Sequence, residues 1–342
     1  MSAIEIQSVI GAEGRMTERR KEQLPRIVVI GGGTGLSVML RGLKEKPLDI
    51  TAIVTVADDG GSSGILRNEL QMPPPGDIRN VLIALADVEP LLSDMLQYRF
   101  NSGTGLAGHS LGNLMLAAMT DISGDFVSGV RMLSKVLAVR GRVLPAAGEA
   151  IVLKAETVDG TIITGESSIP KAGKAIKRVF IEPPDVEPLE EAVEAIKQAD
   201  AILIGPGSLY TSIIPNLLVP KLAESIVDSN AVKMFVCNVM TQPGETDNYS
   251  VSDHLEAVHK HIGHHLFDYV IVNDGEIPEQ VQMKYAERGA KAVHLDLEEV
   301  KRRGYEVVAD RLVLFRTYLR HDAVRLSHHI YQLVESWMER KR

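Results

Sequence analysis

Apolar positions fall along this chain in short, dense runs separated by polar, glycine-bearing turns. Ile27 to Ile30, Ile50 to Val56, Ala201 to Ile204, Val232 to Cys237 and Asp268 to Val272 are almost unbroken apolar stretches, the pattern of parallel strands covered on both faces. Between them the spacing becomes helical. Leu36, Val38, Met39, Leu40 and Leu43 supply one packing face, Val81, Leu82, Leu85 and Ala86 a second, and Leu326, Ile330, Leu333 and Trp337 a third near the end. Further helices are predicted at Ile65–Leu70, Leu114–Met119 and Pro188–Gln198, with Asp77 as the N-cap of the helix that follows the Pro73-Pro74-Pro75 run. Lys135–Val143, Ala150–Val158 and Thr161–Gly165 alternate or are β-branched, and Asp159-Gly160 is a two-residue hairpin signal. These predict an antiparallel insert over about residues 136–170. Strands are also expected through Ile181, at Ala292–Leu295 and near Leu312–Phe315. Residues 1–25 read as a flexible tail and residues 26–338 as one domain.

Two of the apolar runs end in the same way. Ile27–Ile30 lead into Gly31-Gly32-Gly33-Thr34-Gly35 and then a helix; Ala201–Ile204 lead into Gly205-Pro206-Gly207-Ser208 and the hydroxyls of Thr211 and Ser212. Glycines at such turns let backbone N–H groups approach an anion, and the helix that follows adds the positive end of its dipole. The strand after the first helix delivers Asp58 and Asp59, where an acid often meets a ribose. Gly31, Gly33 and Gly35 give G-x-G-x-G, whereas a dinucleotide fingerprint needs a later glycine where Leu36 or Val38 stands. The departure argues against NAD more than against a nucleotide. Two such loops in one sheet flank a crevice at its carboxyl edge, so the predicted fold is α/β: a Rossmann-like, doubly wound, mostly parallel sheet carrying an antiparallel β-hairpin insert.

Composition narrows the partners. The 342 residues are 45% hydrophobic, enough for a substantial core, and the net charge of -8 disfavours nonspecific nucleic-acid binding. No apolar run is long enough to suggest a membrane span, and nothing near the amino end resembles a signal-peptide core. Cys237 is the single cysteine, so no intrachain disulfide is possible, and the cytoplasm is the expected compartment. Cys237 itself reads as a buried core residue.

Other candidate chemistry is weaker. Gly108-His109-Ser110-Leu111-Gly112 matches the G-x-S-x-G nucleophile elbow, but Asn101–Ala107 before it is too polar and glycine-rich for the buried strand an elbow needs. His109, Ser110 and Asn113 at a helix start suit hydrogen bonding to a ligand instead. His261 and His265 have i, i+4 spacing, without the glutamate of an HExxH metal site. Arg79 and Asn80 fall in a first helical turn, where an anion-binding role is conceivable. Lys171, Lys174, Lys177 and Arg178 read as a solvated basic surface.

Taken in order, GGGTGLS, VTVADDGGSSG, PPPGDIRN, GHSLGNL, GESSIPK and GPGSLYTSIIPNL resemble the YvcK-like gluconeogenesis factors (UPF0052), relatives of the CofD-like 2-phospho-L-lactate transferase superfamily, over about residues 26–330. The resemblance implies a cytoplasmic regulatory protein that binds UDP-sugars, notably UDP-N-acetylglucosamine, and supports cell shape and envelope precursor synthesis during gluconeogenic growth. It leaves open whether any enzyme activity is kept; the alternative is a Mg²⁺-dependent transferase acting on a nucleotide-diphosphate-linked donor. Carried onto this chain, it implies that Gly32, Gly33, Thr34 and Gly35 lie near phosphate and that Asp58 or Asp59 lies near ribose or a metal. It places Asn113 beside them, with Gly207 and Ser208 closing the other side. Lys284, Tyr285 and Arg320 stand in segments similar to ones that line the sugar-nucleotide site. A homo-oligomer is expected, as is a protein partner in amino-sugar synthesis such as glucosamine-6-phosphate synthase.

Overall fold

The computed structural model describes residues 24–88, 90–315 and 319–341; the expected tail lies outside them except for Leu24 and Pro25. The chain opens with strand β1 (Arg26–Gly31), helix α1 (Gly33–Leu43) and β2 (Asp49–Val54). Five helices follow, α2 (Gly61–Leu70), α3 (Gly76–Leu85), α4 (Pro90–Gln97), α5 (Leu111–Ser123) and α6 (Phe126–Val136), before β3 (Arg142–Pro145). A separate three-stranded sheet comes next, from β4 (Val152–Thr157), β5 (Ile162–Thr164) and β6 (Ile176–Glu182), ordered β5-β4-β6. Helix α7 (Glu190–Lys197) leads to β7 (Ala201–Ile204), a π-helical turn (Leu209–Ile213), α8 (Ile214–Leu217), α9 (Pro220–Asp228) and β8 (Val232–Val236). The last third holds α10 (Val251–Ile262), β9 (Tyr269–Asn273), α11 (Glu279–Ala286), α12 (Leu297–Arg302), β10 (Glu306–Asp310), the β11–β12 hairpin (Val313–Phe315, Leu319–His321) and α13 (Ala323–Lys341).

Seven strands form one parallel sheet in the order β10-β9-β8-β7-β1-β2-β3. The chain builds from β1 outward to β3, then returns to lay β7 on the other flank of β1, in register from Ile27 opposite Ala201 to Ile30 opposite Ile204. That reversal makes β1 and β7 the topological switch point, where loops diverge and leave a crevice beyond the strand ends. The apolar runs are continuous because both faces are covered. Ile27 and Val29 pack with α1, α3 and α13, whereas Val28 and Ile30 pack on the opposite side with residues of α7, α9 and the small sheet.

The insert is displaced from its expected position. Arg142–Pro145 pairs in parallel with β2 and belongs to the main sheet, and residues 135–136 still belong to α6. The antiparallel sheet therefore runs from 152 to 182 and includes the strand through Ile181. Alternation alone cannot tell an edge strand of one sheet from the first strand of another. The Asp159-Gly160 turn does connect β4 to β5, with Glu156 opposite Ile162. Ala292–Leu295 forms only isolated bridges, Met240 to Ala292 and Ser250 to His294. Among the described residues no helix is long and apolar enough to cross a membrane.

Candidate functional site

The two glycine turns meet at the switch point. Gly33 takes φ +72°, the left-handed region, and opens α1. A Cβ on Gly35 would stand 3.1 Å from the Pro206 carbonyl oxygen, and one on Gly207 would stand 3.1 Å from the carbonyl oxygen of Gly32. The glycines thus let two backbone loops touch, and the cavity opens above that contact. It has a volume of about 340 Å³ and is walled by Gly33, Thr34 and Gly35 on one side and by Pro206, Gly207 and Ser208 on the other. Tyr285 of α11, Arg320 and His321 of β12, and Asn238 and Gln242 after β8 complete it. Concave volume at a doubly wound switch point is where this architecture places ligands.

Two side chains hold the second loop in place. Asn238 Oδ1 accepts from the Gly207 N–H at 3.2 Å while its Nδ2 donates to the Gly207 carbonyl at 2.7 Å, and Gln242 Nε2 donates to Ser208 Oγ. The Tyr285 hydroxyl accepts from the Leu319 N–H at 3.0 Å and lies 3.4 Å from its carbonyl, which ties α11 to the hairpin carrying Arg320. Burial pushes the His321 imidazole down to about 4, so it is neutral near pH 7, and its Nδ1 has no partner among the described residues. Asn238 and Gln242 were legible only as part of a polar loop following a buried strand at the same sheet edge; no motif assigned them a role.

Other expected site residues lie elsewhere. Gly32 borders Asp77: a Cβ there would stand 2.4 Å from Asp77 Oδ2 and 2.9 Å from Thr55 Cγ2. Asp77 does not cap its own helix, whose N-cap is Pro75. Its carboxylate instead lies near the Gly33 N–H at the start of α1, which favours the charged form. Burial and then the nearby Asp58 raise Asp77 to about 6, against the opposing pull of that N–H.

Asn113 belongs to a buried network. Its Oδ1 accepts from Arg79 at 2.9 Å, its Nδ2 donates to Ser62 Oγ at 3.1 Å, and Ser62 Oγ lies 2.9 Å from His109 Nδ1. Ser110 caps α5 through the Asn113 N–H. Lys284 precedes Tyr285 on α11 and is not among the residues that wall the cavity.

Asp58 and Asp59 diverge. Asp58 Oδ1 accepts from the Gly60 N–H at 2.9 Å, whereas Asp59 Oδ1 accepts from the Ser167 N–H at 2.8 Å, from the loop beyond β5. Glu166 of that loop is raised to about 8, first by burial and then by Asp58, Asp77, Glu245 and Asp59. Among the described residues no three His, Cys, Asp or Glu side chains converge as a metal-binding group. His261 cannot pair with His265 on a metal in this geometry: its Nε2 accepts from the Val179 N–H at 2.9 Å and its Nδ1 faces the Ala257 carbonyl at 2.7 Å. Cys237 is buried as expected, and burial pushes its thiol up to about 12.

Comparison with known proteins places this architecture. A family model for 2-phospho-L-lactate transferase CofD matches residues 27–313. The chain belongs to the CofD family. Within it, the chain is 56% identical over 314 residues to the gluconeogenesis factor of Bacillus subtilis strain 168, covering 92% of this chain and 99% of that protein. It is 58% identical over 307 residues to the gluconeogenesis factor of Halalkalibacterium halodurans, covering 90% and 95%. The crystal structure of a UPF0052 member from Bacillus halodurans superposes with a TM-score of 0.88 at 57% identity, over 90% of this chain and 99% of that one. These CofD-family relatives agree with the resemblance carried by the six motifs, and the doubly wound sheet is the fold they share.

Proposed function

We propose that this CofD-family protein is a gluconeogenesis factor that binds UDP-N-acetylglucosamine at the β1–β7 switch point and acts as a regulator. The observation that carries the reading is the cavity walled by two touching glycine loops, with an aromatic ring and a guanidinium on its open side. Backbone at Gly33–Gly35 and Gly207 can approach a diphosphate closely, Arg320 can pair with it, and Tyr285, anchored through its hydroxyl, offers its ring to a base. The kinship to proteins called gluconeogenesis factors supports a role in gluconeogenic growth, where a sugar nucleotide would report the supply of envelope precursors. Regulation requires that the ligand bind two states of the protein unequally. An enzyme of amino-sugar synthesis such as glucosamine-6-phosphate synthase is the proposed partner, and the cytoplasm the proposed compartment.

A second reading rests on the family match alone: a transferase acting on a nucleotide-diphosphate-linked donor. In that reading Asp58 or Asp59 would hold Mg²⁺ on the donor's diphosphate. One experiment separates the readings. Isothermal titration of the full chain with UDP-N-acetylglucosamine, with NAD in parallel and the solution analysed afterwards, should give saturable binding to the UDP-sugar, none to NAD and no product. Absence of UDP-sugar binding would sink the first reading, and turnover would establish the second.

A further inference from the structure

On the flank of α1 away from the second glycine loop lies a smaller cleft of about 230 Å³. Thr34, Ser37 and Arg41 line it from one stripe of α1, at i, i+3 and i+7, opposite the fully buried Leu36, Met39, Leu40 and Leu43. Asn80 of α3, Gln97 at the end of α4 and Arg320 of β12 face them. Among the described residues the lining contains no carboxylate. Arg41 and Arg320 both line the cleft from exposed positions, and desolvation together with the neighbouring Arg320 guanidinium lowers the Arg41 pKa. Two guanidinium groups on one cleft without an acid beside them repel each other, and an oxyanion between them removes that repulsion while accepting hydrogen bonds from both forks. Thr34 and Arg320 line this cleft and the main cavity alike, so the two volumes share a wall.

We propose that the cleft between Arg41 and Arg320 is a phosphate subsite, additional to the main cavity and coupled to it through Thr34 and Arg320. The phosphate can belong to the diphosphate of a nucleotide seated in the main cavity or to a separate phosphorylated metabolite. The chemistry is shared, and the site itself does not depend on which ligand fills the larger volume.

The test is titration of the full chain with inorganic pyrophosphate, alone and with saturating UDP-N-acetylglucosamine, for the unaltered protein, Arg41→Gln and Arg41→Lys. Thermal melting of each variant checks its folding. Pyrophosphate should bind the unaltered protein more weakly as salt rises. Arg41→Gln should weaken it roughly tenfold or more at unchanged melting temperature, with Arg41→Lys between the two because it keeps charge but not the fork. If UDP-N-acetylglucosamine displaces pyrophosphate and itself loses affinity in Arg41→Gln, the nucleotide's own diphosphate is the occupant; if pyrophosphate still binds, a separate metabolite is. No pyrophosphate binding by the unaltered protein, or equal binding by folded Arg41→Gln, overturns the subsite, whatever the result for the UDP-sugar.

Discussion

On the β7 side of Gly32, Thr34, Tyr285 and Arg320 border open volume; on the β2 side, Asp58, Asp59 and Asn113 are bonded to other protein groups. Both regions sit at the carboxyl edge of the sheet, and both read from the sequence as ligand chemistry. The difference lies in who satisfies the polar atoms. The Gly60 and Ser167 N–H groups hold the two aspartates, and Arg79 with Ser62 holds Asn113. A polar residue already matched inside the protein stabilises a loop, and one facing a cavity is available to recognise a ligand.

Gly32 is the wall between the regions, and Gly32→Ala should break the comparison most severely. Its backbone is extended and tolerates any residue, so the cost is contact alone: the added methyl meets Asp77 Oδ2 and Thr55 Cγ2. Asp77 is half-buried beside the start of α1, which leaves its carboxylate limited room to withdraw. A loss of about 3 kcal/mol in unfolding free energy by denaturant titration is expected, together with weaker ligand binding because Gly33 moves with Asp77. A loss below about 0.5 kcal/mol would show that Asp77 can shift freely, and that the wall is soft.

Asn113→Ala should sharpen the contrast with a smaller effect. It leaves Arg79 and Ser62 each short of a partner in a buried network where Arg79 Nε already has none among the described residues. The expected cost is about 2 kcal/mol of stability, with affinity for UDP-N-acetylglucosamine unchanged in calorimetry. The opposite pattern, stability kept and affinity lost, would return Asn113 to the ligand site that the family resemblance implies.

Why the sequence revealed one half better than the other follows from range. Strand, glycine turn and helix are adjacent in the chain, so both loops of the cavity could be read locally at Gly33–Gly35 and Gly207–Ser208. Tyr285 and Arg320 came only through family resemblance, because nothing local distinguishes them. Asn238 acts through Gly207, 31 residues earlier, and such a bond has no local signature. Asp77 shows the converse: a residue type and position that fit an N-cap leave that place to Pro75, and the carboxylate borders Gly32 at the start of a different helix. The adjacent Asp58-Asp59 pair suggests joint action, yet successive residues in a loop point apart. The displaced insert has the same origin, since pairing partners are not written in alternation.

The last test concerns Glu245, which borders the acidic side without belonging to it. Both its oxygens lie near Thr211 Oγ1, at 3.2 and 3.3 Å, and burial raises it from 4.5 to about 7 despite that hydroxyl. The folded state therefore keeps this proton at pH values where the unfolded chain has released it. Its contribution is fully present below pH 4.5 and is lost as pH rises toward about 7, with a slope of at most about 1.4 kcal/mol per pH unit. Glu245→Gln stays neutral throughout and keeps an acceptor for Thr211, so chemical denaturation from pH 4.5 to 8 should show a shallower decline than in the unaltered protein. The decline should not vanish, because Glu166 and Asp77 are raised in the same direction. An identical slope in the two proteins would mean that the charged form of Glu245 finds stabilisation inside the fold. It would then resemble the matched aspartates rather than a carboxyl kept neutral by burial.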